Sequence, residues 1–171
     1  MRMDNPDERI PVVDENGNVT GAVSRADAHC GSKILHPVVH LHLFNMHGDI
    51  YLQRRPEWKD VQPGCWDTAT GGHVCFGESV EEALAREVEE ELGITDFQRE
   101  FLGRYVFEST VERELVFSYK TVYSGSIFVN KEELADGRFW TQQEINGNMG
   151  VGVFTPNFEF EYKKFIKWSR L

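Results

Sequence analysis

The stretch that most constrains this chain is residues 72–94, which read GHVCFGESVEEALAREVEEELGI. Ser79 followed by Glu82 forms a capping box, which marks the start of a helix, and Gly93 stands where helices commonly end in a left-handed residue. We therefore predict a helix over residues 79–92. Apolar residues at helical spacing predict one buried face, formed by Val80, Ala83, Leu84, Val88 and Leu92.

Three glutamates cluster on this predicted helix. Glu87, Glu90 and Glu91 fall within about 100° of helix arc, at about 100° per residue. Like charges at this spacing repel each other, by a few tenths of a kcal/mol per pair. Mg²⁺ or Mn²⁺ would offset the repulsion, because both are hard cations that prefer carboxylate oxygen. A solvated acidic face is the alternative, since charge runs usually lie at the surface.

The residues next to these glutamates favour a metal or phosphate site over a solvated acidic face. A glycine pair, Gly71 and Gly72, precedes them and is read here as a loop. Such a loop lets the backbone approach a phosphate or offer a carbonyl oxygen to a metal. Arg86 adjoins the cluster, and Glu78 lies upstream as a partner that would hold the loop to the helix.

The segment resembles the Nudix box at every motif position. That motif is a glycine, five residues, a glutamate, seven residues, then Arg-Glu-apolar-any-Glu-Glu-any-Gly-apolar. A complete match over 23 residues is far more specific than a lone glycine motif. The matching residues are Gly72, Glu78, Arg86, Glu87, Val88, Glu90, Glu91, Gly93 and Ile94.

The resemblance implies a fold, a reaction and a metal. The fold is the α+β Nudix fold, an α/β/α sandwich around a mixed sheet, here as one domain over residues 1–171. The reaction is hydrolysis of a nucleoside diphosphate linked to another group. The cofactor is Mg²⁺ or Mn²⁺, and the general base is Glu87 or a carboxylate outside the box. The implied catalytic residues are Glu87, Glu90, Glu91 and Arg86, and the three glutamates and the Gly72 carbonyl are the implied metal ligands.

Outside the box, the signals predict strands and short helices. Asn16-Gly17 is a tight-turn signal, so residues 10–13 and 19–23 predict a hairpin within an N-terminal extension over residues 1–33. Further strands are predicted over residues 38–44, 50–53, 66–70, 101–108, 113–123 and 139–140. Further helices are predicted over residues 24–28, after Thr141 and after Pro156.

A second resemblance lies outside the box, to the isopentenyl-diphosphate isomerase-like branch of the family. Five positions match the residues that hold the isomerase's metal: His29, His36, His73, Glu112 and Glu114. Glu112 and Glu114 alternate, so on a strand they would face the same side. Each of the five is alternatively an ordinary surface or core residue. The substrate-binding set implied for the diphosphate comprises Arg25, Arg55 and Lys59, to which Arg54 adds positive charge.

Two departures from that branch favour hydrolysis over isomerisation. Gly71 stands where the isomerase has its catalytic cysteine, and a glycine has no side chain to move a proton. Glu87 stands where the isomerase has a phosphate-binding arginine. An isomerase-like activity remains the first alternative, and a catalytically idle nucleotide-binding Nudix protein is the second.

Charge and composition limit the partners. The formal net charge of −10 argues against a nucleic acid polymer or an anionic membrane, so we expect a small-molecule diphosphate substrate. Cys30, Cys65 and Cys75 fit no disulfide or zinc framework, and with no apolar leader they favour reduced thiols in a cytoplasmic protein. Both a monomer and a homodimer are compatible with the sequence.

Overall fold

The structure is a computed structural model that describes residues 5–59 and 61–166. Its elements in chain order are β1 (Arg9–Val13), β2 (Val19–Ser24), α1 (Arg25–Ala28), β3 (Leu35–Phe44), β4 (Ile50–Arg54), β5 (Trp66–Asp67), β6 (Thr70–His73), α2 (Val80–Leu92), β7 (Glu100–Glu108), β8 (Arg113–Val122), β9 (Asp136–Trp140), α3 (Gln142–Asn148), α4 (Pro156–Glu161) and a π-helical segment (Tyr162–Ile166). Among these described residues, no helix combines the length and apolarity that a membrane crossing requires.

The N-terminal hairpin is present as predicted. β1 and β2 pair antiparallel in a two-stranded sheet. The Asp14 carboxylate closes their turn by accepting hydrogen bonds from the backbone N–H groups of Asn16 and Asn18, both at 2.9 Å. The Ser24 side chain then caps α1 by accepting from the N–H of Asp27. The hairpin therefore leads directly into a helical turn whose position is fixed by a cap.

The main sheet is mixed, as the α+β prediction requires. Its strands run in the order β5-β4-β3-β8-β7, with β6 also paired to β3 and β9 also paired to β4. β3 pairs parallel with β8, and the other pairs are antiparallel. β4 and β6 share the second edge of β3, because β4 meets only its last two residues and β6 meets residues 38–41.

The sheet has a helix on each face, which confirms the sandwich. All ten residues of β3 are buried, and their side chains alternate between the two faces. One face packs against α2 and the other against α4 and the π-helical segment. Residues in the α2 layer are Val39, Leu41, Leu43, Ala83, Leu84, Val88 and Leu92. Residues in the opposite layer are Phe44, Leu52, Trp140, Phe158, Tyr162 and Ile166.

Three predicted segments differ from the structure. The strand predicted over residues 66–70 is broken, because β5 pairs with β4 whereas β6 pairs with β3. Gly71 and Gly72, read as a loop from the sequence, lie within β6, where they pair with His40 and Val39 of β3. Glycine weakens an isolated strand, but here the neighbouring strand supplies the hydrogen-bonding partner. The helix predicted after Pro156 ends at Glu161 and continues as the π-helical segment.

A buried carboxylate joins α4 to three strands of the sheet. Glu161 is completely buried and accepts hydrogen bonds from His40 Nδ1 and His42 Nε2, both at 2.5 Å. It also accepts from the hydroxyls of Tyr105 at 2.7 Å and Ser118 at 2.6 Å. Burial by itself would raise the pKa of Glu161, but the two imidazoles outweigh it and hold that pKa well below its usual range.

We predict that Glu161→Ala destabilises the fold by about 3 to 5 kcal/mol, because it removes the acceptor for two buried imidazoles and two hydroxyls. Urea unfolding followed by circular dichroism measures the change. Lys163→Ala in the adjoining π-helical segment is the control, since the Lys163 side chain is 63% exposed and its loss should cost about 1 kcal/mol or less. Equal losses for the two variants would contradict the assigned importance of Glu161.

A second prediction concerns the pH dependence of stability. Burial opposes charging of His40, but Glu161 outweighs it and raises the pKa of His40 from 6.5 to about 9. The folded protein therefore retains a proton that the unfolded chain releases. The resulting stabilisation is complete below about pH 6.5 and is lost as the pH rises through about 9. Urea unfolding of wild type and His40→Asn from pH 6 to 9.5 should show a stability difference that shrinks with pH; a constant difference would disprove this linkage.

Candidate functional site

Arg86 connects α2 to the segment that precedes it. Its Nε and one terminal nitrogen donate to the two carboxylate oxygens of Glu78 at 2.9 and 3.0 Å. The same guanidinium donates to the carbonyl oxygen of His73 at 2.9 Å and to Glu87 at 2.7 Å. The pairing expected between Glu78 and Arg86 is therefore present. These contacts hold the Glu87 carboxylate and the end of β6 next to Glu78, so Arg86 would position Glu87.

Glu87 and Glu91 form a buried carboxylate pair. Glu91 accepts long hydrogen bonds from Gln53 Nε2 and the Gly71 N–H, both at 3.4 Å. Burial raises the pKa of Glu87 to about 7, and burial with the nearby Glu87 raises that of Glu91 well above its usual range. Glu133, from the loop before β9, adds to both shifts. A divalent cation would relieve this repulsion, so the donors present suit a hard metal ion.

Glu90 is more exposed than that pair. Its side chain is about one-third exposed, and its carboxylate lies 3.5 Å from a terminal nitrogen of Arg86. Glu90 is not among the residues lining the adjacent cavity, whereas Glu87, Glu91 and Glu133 are. Two of the three box glutamates therefore line the cavity, and Glu90 lies outside its lining.

The carboxylate pair faces a cavity of about 400 Å³ beside β3 and β6. Arg25, Arg55 and Lys59 of the predicted substrate-binding set line it. Arg54 does not, because its guanidinium donates to the Gly64 carbonyl at 3.1 Å and to Glu57 at 2.9 Å on another surface. The other ionisable lining residues are Glu8, His29, His40, Asp67, His73, Glu87, Glu91, Glu112, Glu114 and Glu133.

The structure brings together the five residues of the second resemblance. Ligand atoms of His29, His36 and His73 lie within 4.8 Å of one another, and so do those of His36, Glu112 and Glu114. His29 contacts Glu112 through Nδ1 at 2.9 Å and His73 through Nε2 at 2.9 Å. β8 begins at Arg113, so Glu112 lies just before the strand and not on it, yet both glutamates reach His36.

His36 has the features of a ligand imidazole. Its Nδ1 lies 2.9 Å from the Ile34 carbonyl oxygen and must donate to it, which leaves the lone pair on Nε2. Within the described residues, that buried Nε2 has no hydrogen-bond partner. Burial lowers the pKa of His36, and burial with Arg25 lowers that of His73 well below its usual range. Neutral imidazoles are the form that binds metals, so the residues present fit a cation.

Sequence reasoning missed several residues of the cavity, among them Glu133, Gln53 and His40. Glu133 lies in a polar loop that no motif marks, and Gln53 ends a predicted strand. His40 belongs to an alternating His-Leu-His-Leu run, whose period of two placed it on a strand without indicating a site. Only the alternation could have shown that His36 and His40 share a face of that strand.

Comparison with known proteins adds independent information. A family model described as NUDIX domain matches residues 34–168. An uncharacterized Nudix hydrolase from Streptomyces coelicolor is 32% identical, over 97% of this chain and 92% of that protein. Isopentenyl-diphosphate Delta-isomerase 1 from Photorhabdus laumondii is 31% identical, over 94% of this chain and 96% of the isomerase. The fold of DR0079 from Deinococcus radiodurans matches with a TM-score of 0.79 at 24% identity, covering 92% of this chain and 99% of that one.

We predict that Gly72→Ala weakens Mn²⁺ binding at least about 10-fold, because a Cβ at this position would overlap the Glu87 carboxylate and displace it. Isothermal titration calorimetry with Mn²⁺ measures the affinity. Gly147→Ala is the matched control, since a Cβ there meets no atom within 4 Å. Unchanged Mn²⁺ affinity in Gly72→Ala would remove Glu87 from the expected ligands.

Proposed function

The chain belongs to the Nudix family, and from this premise we propose that it is a metal-dependent hydrolase that cleaves a diphosphate linkage in a nucleoside diphosphate derivative. One observation carries the proposal: Glu87 and Glu91 are buried side by side in a cavity that Arg25, Arg55 and Lys59 also line. Largely buried carboxylates whose pKa values are raised, next to cationic side chains, suit a substrate that arrives with a divalent ion.

Mg²⁺ or Mn²⁺ is the proposed cofactor. Glu87 and Glu91 would hold it, with Glu90 and the Gly72 carbonyl as the remaining ligands expected from the box. Bound there, a divalent ion would polarise the phosphoryl oxygens and lower the pKa of an attacking water. Glu78 and Arg86 keep the Glu87 carboxylate in place, since the guanidinium spans both acids.

The remaining cavity residues bind the substrate and accept the proton in this proposal. Arg25, Arg55 and Lys59 offer cationic donors for the phosphate oxygens. Arg55 is already oriented, because its Nε donates to the Val61 carbonyl at 3.0 Å. Glu87, or Glu133 from outside the box, would accept the proton of the attacking water, as both carboxylates face the cavity.

A second candidate function is isomerase-like chemistry on a prenyl diphosphate. It is favoured by the convergence of His29, His36, His73, Glu112 and Glu114, which we propose as a second cation site, and by a close relative named as an isomerase. Gly71 opposes it, because this position offers no thiol. A Cβ there would lie 3.1 Å from Cδ2 of His40, so the imidazole leaves little room for a side chain.

The compartment and the partners of the protein follow from its thiols and its charge under this proposal. Cys30, Cys65 and Cys75 are free thiols, which suit a reducing compartment, so we place the enzyme in the cytoplasm. The excess of acidic residues disfavours a nucleic acid polymer, which leaves small diphosphates as substrates. A monomer or a homodimer would serve equally, since one chain supplies every group invoked above.

The test is an activity panel with Mg²⁺ or Mn²⁺. It comprises nucleoside di- and triphosphates, nucleotide sugars, dinucleotides and isopentenyl diphosphate. We predict metal-dependent cleavage of a nucleotide substrate, lowered about 100-fold or more in Glu87→Gln, because that change removes an expected ligand and base. Glu89→Gln, an exposed position on the same helix, is the control and should retain activity.

Each result of the panel has a distinct meaning. Conversion of isopentenyl diphosphate without cleavage would overturn the hydrolase proposal in favour of isomerisation. Binding of nucleotides without turnover would favour a catalytically idle binding protein. Cleavage that Glu87→Gln leaves intact would show that Glu87 is neither a required metal ligand nor the general base.

A further inference from the structure

His40 reaches the cavity from the central strand. Its Nδ1 is held 2.5 Å from Glu161, on the side of the sheet covered by α4. The opposite edge of the ring, Cδ2 and Nε2, lies over Gly71, where a Cβ would be only 3.1 and 3.4 Å from these two atoms. Both His40 and Gly71 line the cavity. The ring therefore spans from a buried carboxylate to the substrate space.

The charge on His40 follows from the surroundings of Glu161. This carboxylate is completely buried, and within the described residues it accepts from two imidazoles and two hydroxyls. A buried carboxylate requires a compensating charge, which here one of the imidazoles must carry. Glu161, Asp67 and Glu114 all favour the charged form of His40, and its raised pKa agrees with that assignment. A charged imidazole carries a proton on both nitrogens.

His42 provides an internal comparison. It bonds the same carboxylate through Nε2 at 2.5 Å, but it is fully buried and does not line the cavity. Within the described residues, its Nδ1 has no hydrogen-bond partner. The two histidines therefore share one role toward Glu161, and His40 alone of the pair has a nitrogen directed toward the cavity.

We propose that His40 is a substrate-binding residue, which donates Nε2–H to an anionic phosphate oxygen while Glu161 fixes its Nδ1. The inference rests on the proposed function, since it names a further contact to the same diphosphate. It also supplies a reason for Gly71: the imidazole of β3 occupies the space that a side chain on β6 would need. The chain thus places a fixed donor where the isomerase resemblance would place a thiol.

The experiment measures binding of methylenediphosphonate, whose P–C–P bridge cannot be hydrolysed, in the presence of Mg²⁺ by isothermal titration calorimetry. His40→Asn keeps an amide nitrogen near the position of Nδ1, so it can still donate to Glu161, but it lacks Nε2. His42→Gln keeps a nitrogen near the position of Nε2 and is the matched control. We expect about 10- to 100-fold weaker binding in His40→Asn and a change below about 3-fold in His42→Gln.

A spectroscopic readout separates contact from a structural effect. In wild type labelled with ¹⁵N-histidine, the Nε2 resonance of His40 should shift on titration with methylenediphosphonate, while that of His42 should not. Gly71→Ala is a second variant in case His40→Asn fails to fold. It retains His40 but crowds the Nε2 edge, so it should also weaken binding.

The outcomes distinguish the two proposals. No binding of methylenediphosphonate by wild type would overturn the proposed diphosphate substrate itself. Wild-type binding that His40→Asn preserves, or that His42→Gln weakens equally, would overturn the inference about His40 alone. Weakening confined to His40→Asn, together with the shifted Nε2 resonance, would support it.

Discussion

β3 is buried along its whole length, so each of its polar side chains must find a partner inside the protein. On one face, the apolar side chains of Val39, Leu41 and Leu43 pack on α2. The alternate face carries histidines, which cannot be satisfied by apolar contacts. His40 and His42 pair with Glu161 from a helix about 120 residues later in the chain. His36 instead directs Nε2 toward a cluster of imidazole and carboxylate groups. Because β3 is covered on both faces, its histidines position both the hydrogen bonds to Glu161 and part of the cavity lining.

The cavity holds more carboxylates than fixed cations. Seven acidic residues line it, against Arg25, Arg55 and Lys59 as permanently charged donors. Burial raises the pKa of Glu87 and Glu114 to about 7 each, although Arg86 pairs with the first and Asn157 donates to the second. Such an arrangement is stable when protons or metal ions supply the missing charge. Under the proposed function, an acidic protein could accept an anionic substrate because a divalent cation would lie between the carboxylates and the phosphate groups.

The N-terminal hairpin contributes directly to this cavity. α1 follows β2 without a loop and carries Arg25, whose guanidinium lies 3.1 Å from Glu8 and 3.0 Å from His73. His29 follows α1 and reaches Glu112 and His73. The extension therefore closes one wall of the cavity with residues from both ends of the hairpin. A Nudix fold that lacked these residues would retain the box but lose one of the cationic side chains that line the cavity and one of the clustered imidazoles.

The sequence by itself determined the features that depend on local spacing. The capping box of Ser79 and the end at Gly93 follow from helical geometry, because residues a few positions apart in a helix have a fixed relation. The link from Glu78 to Arg86 was expected from the motif that both residues belong to. Only the tertiary structure decided which residues share the cavity. It turned Arg54 away, brought in Glu133, and set His40 between Gly71 and Glu161. These contacts join residues tens of positions apart, and their distances depend on how strands pair and helices pack, which no local pattern encodes.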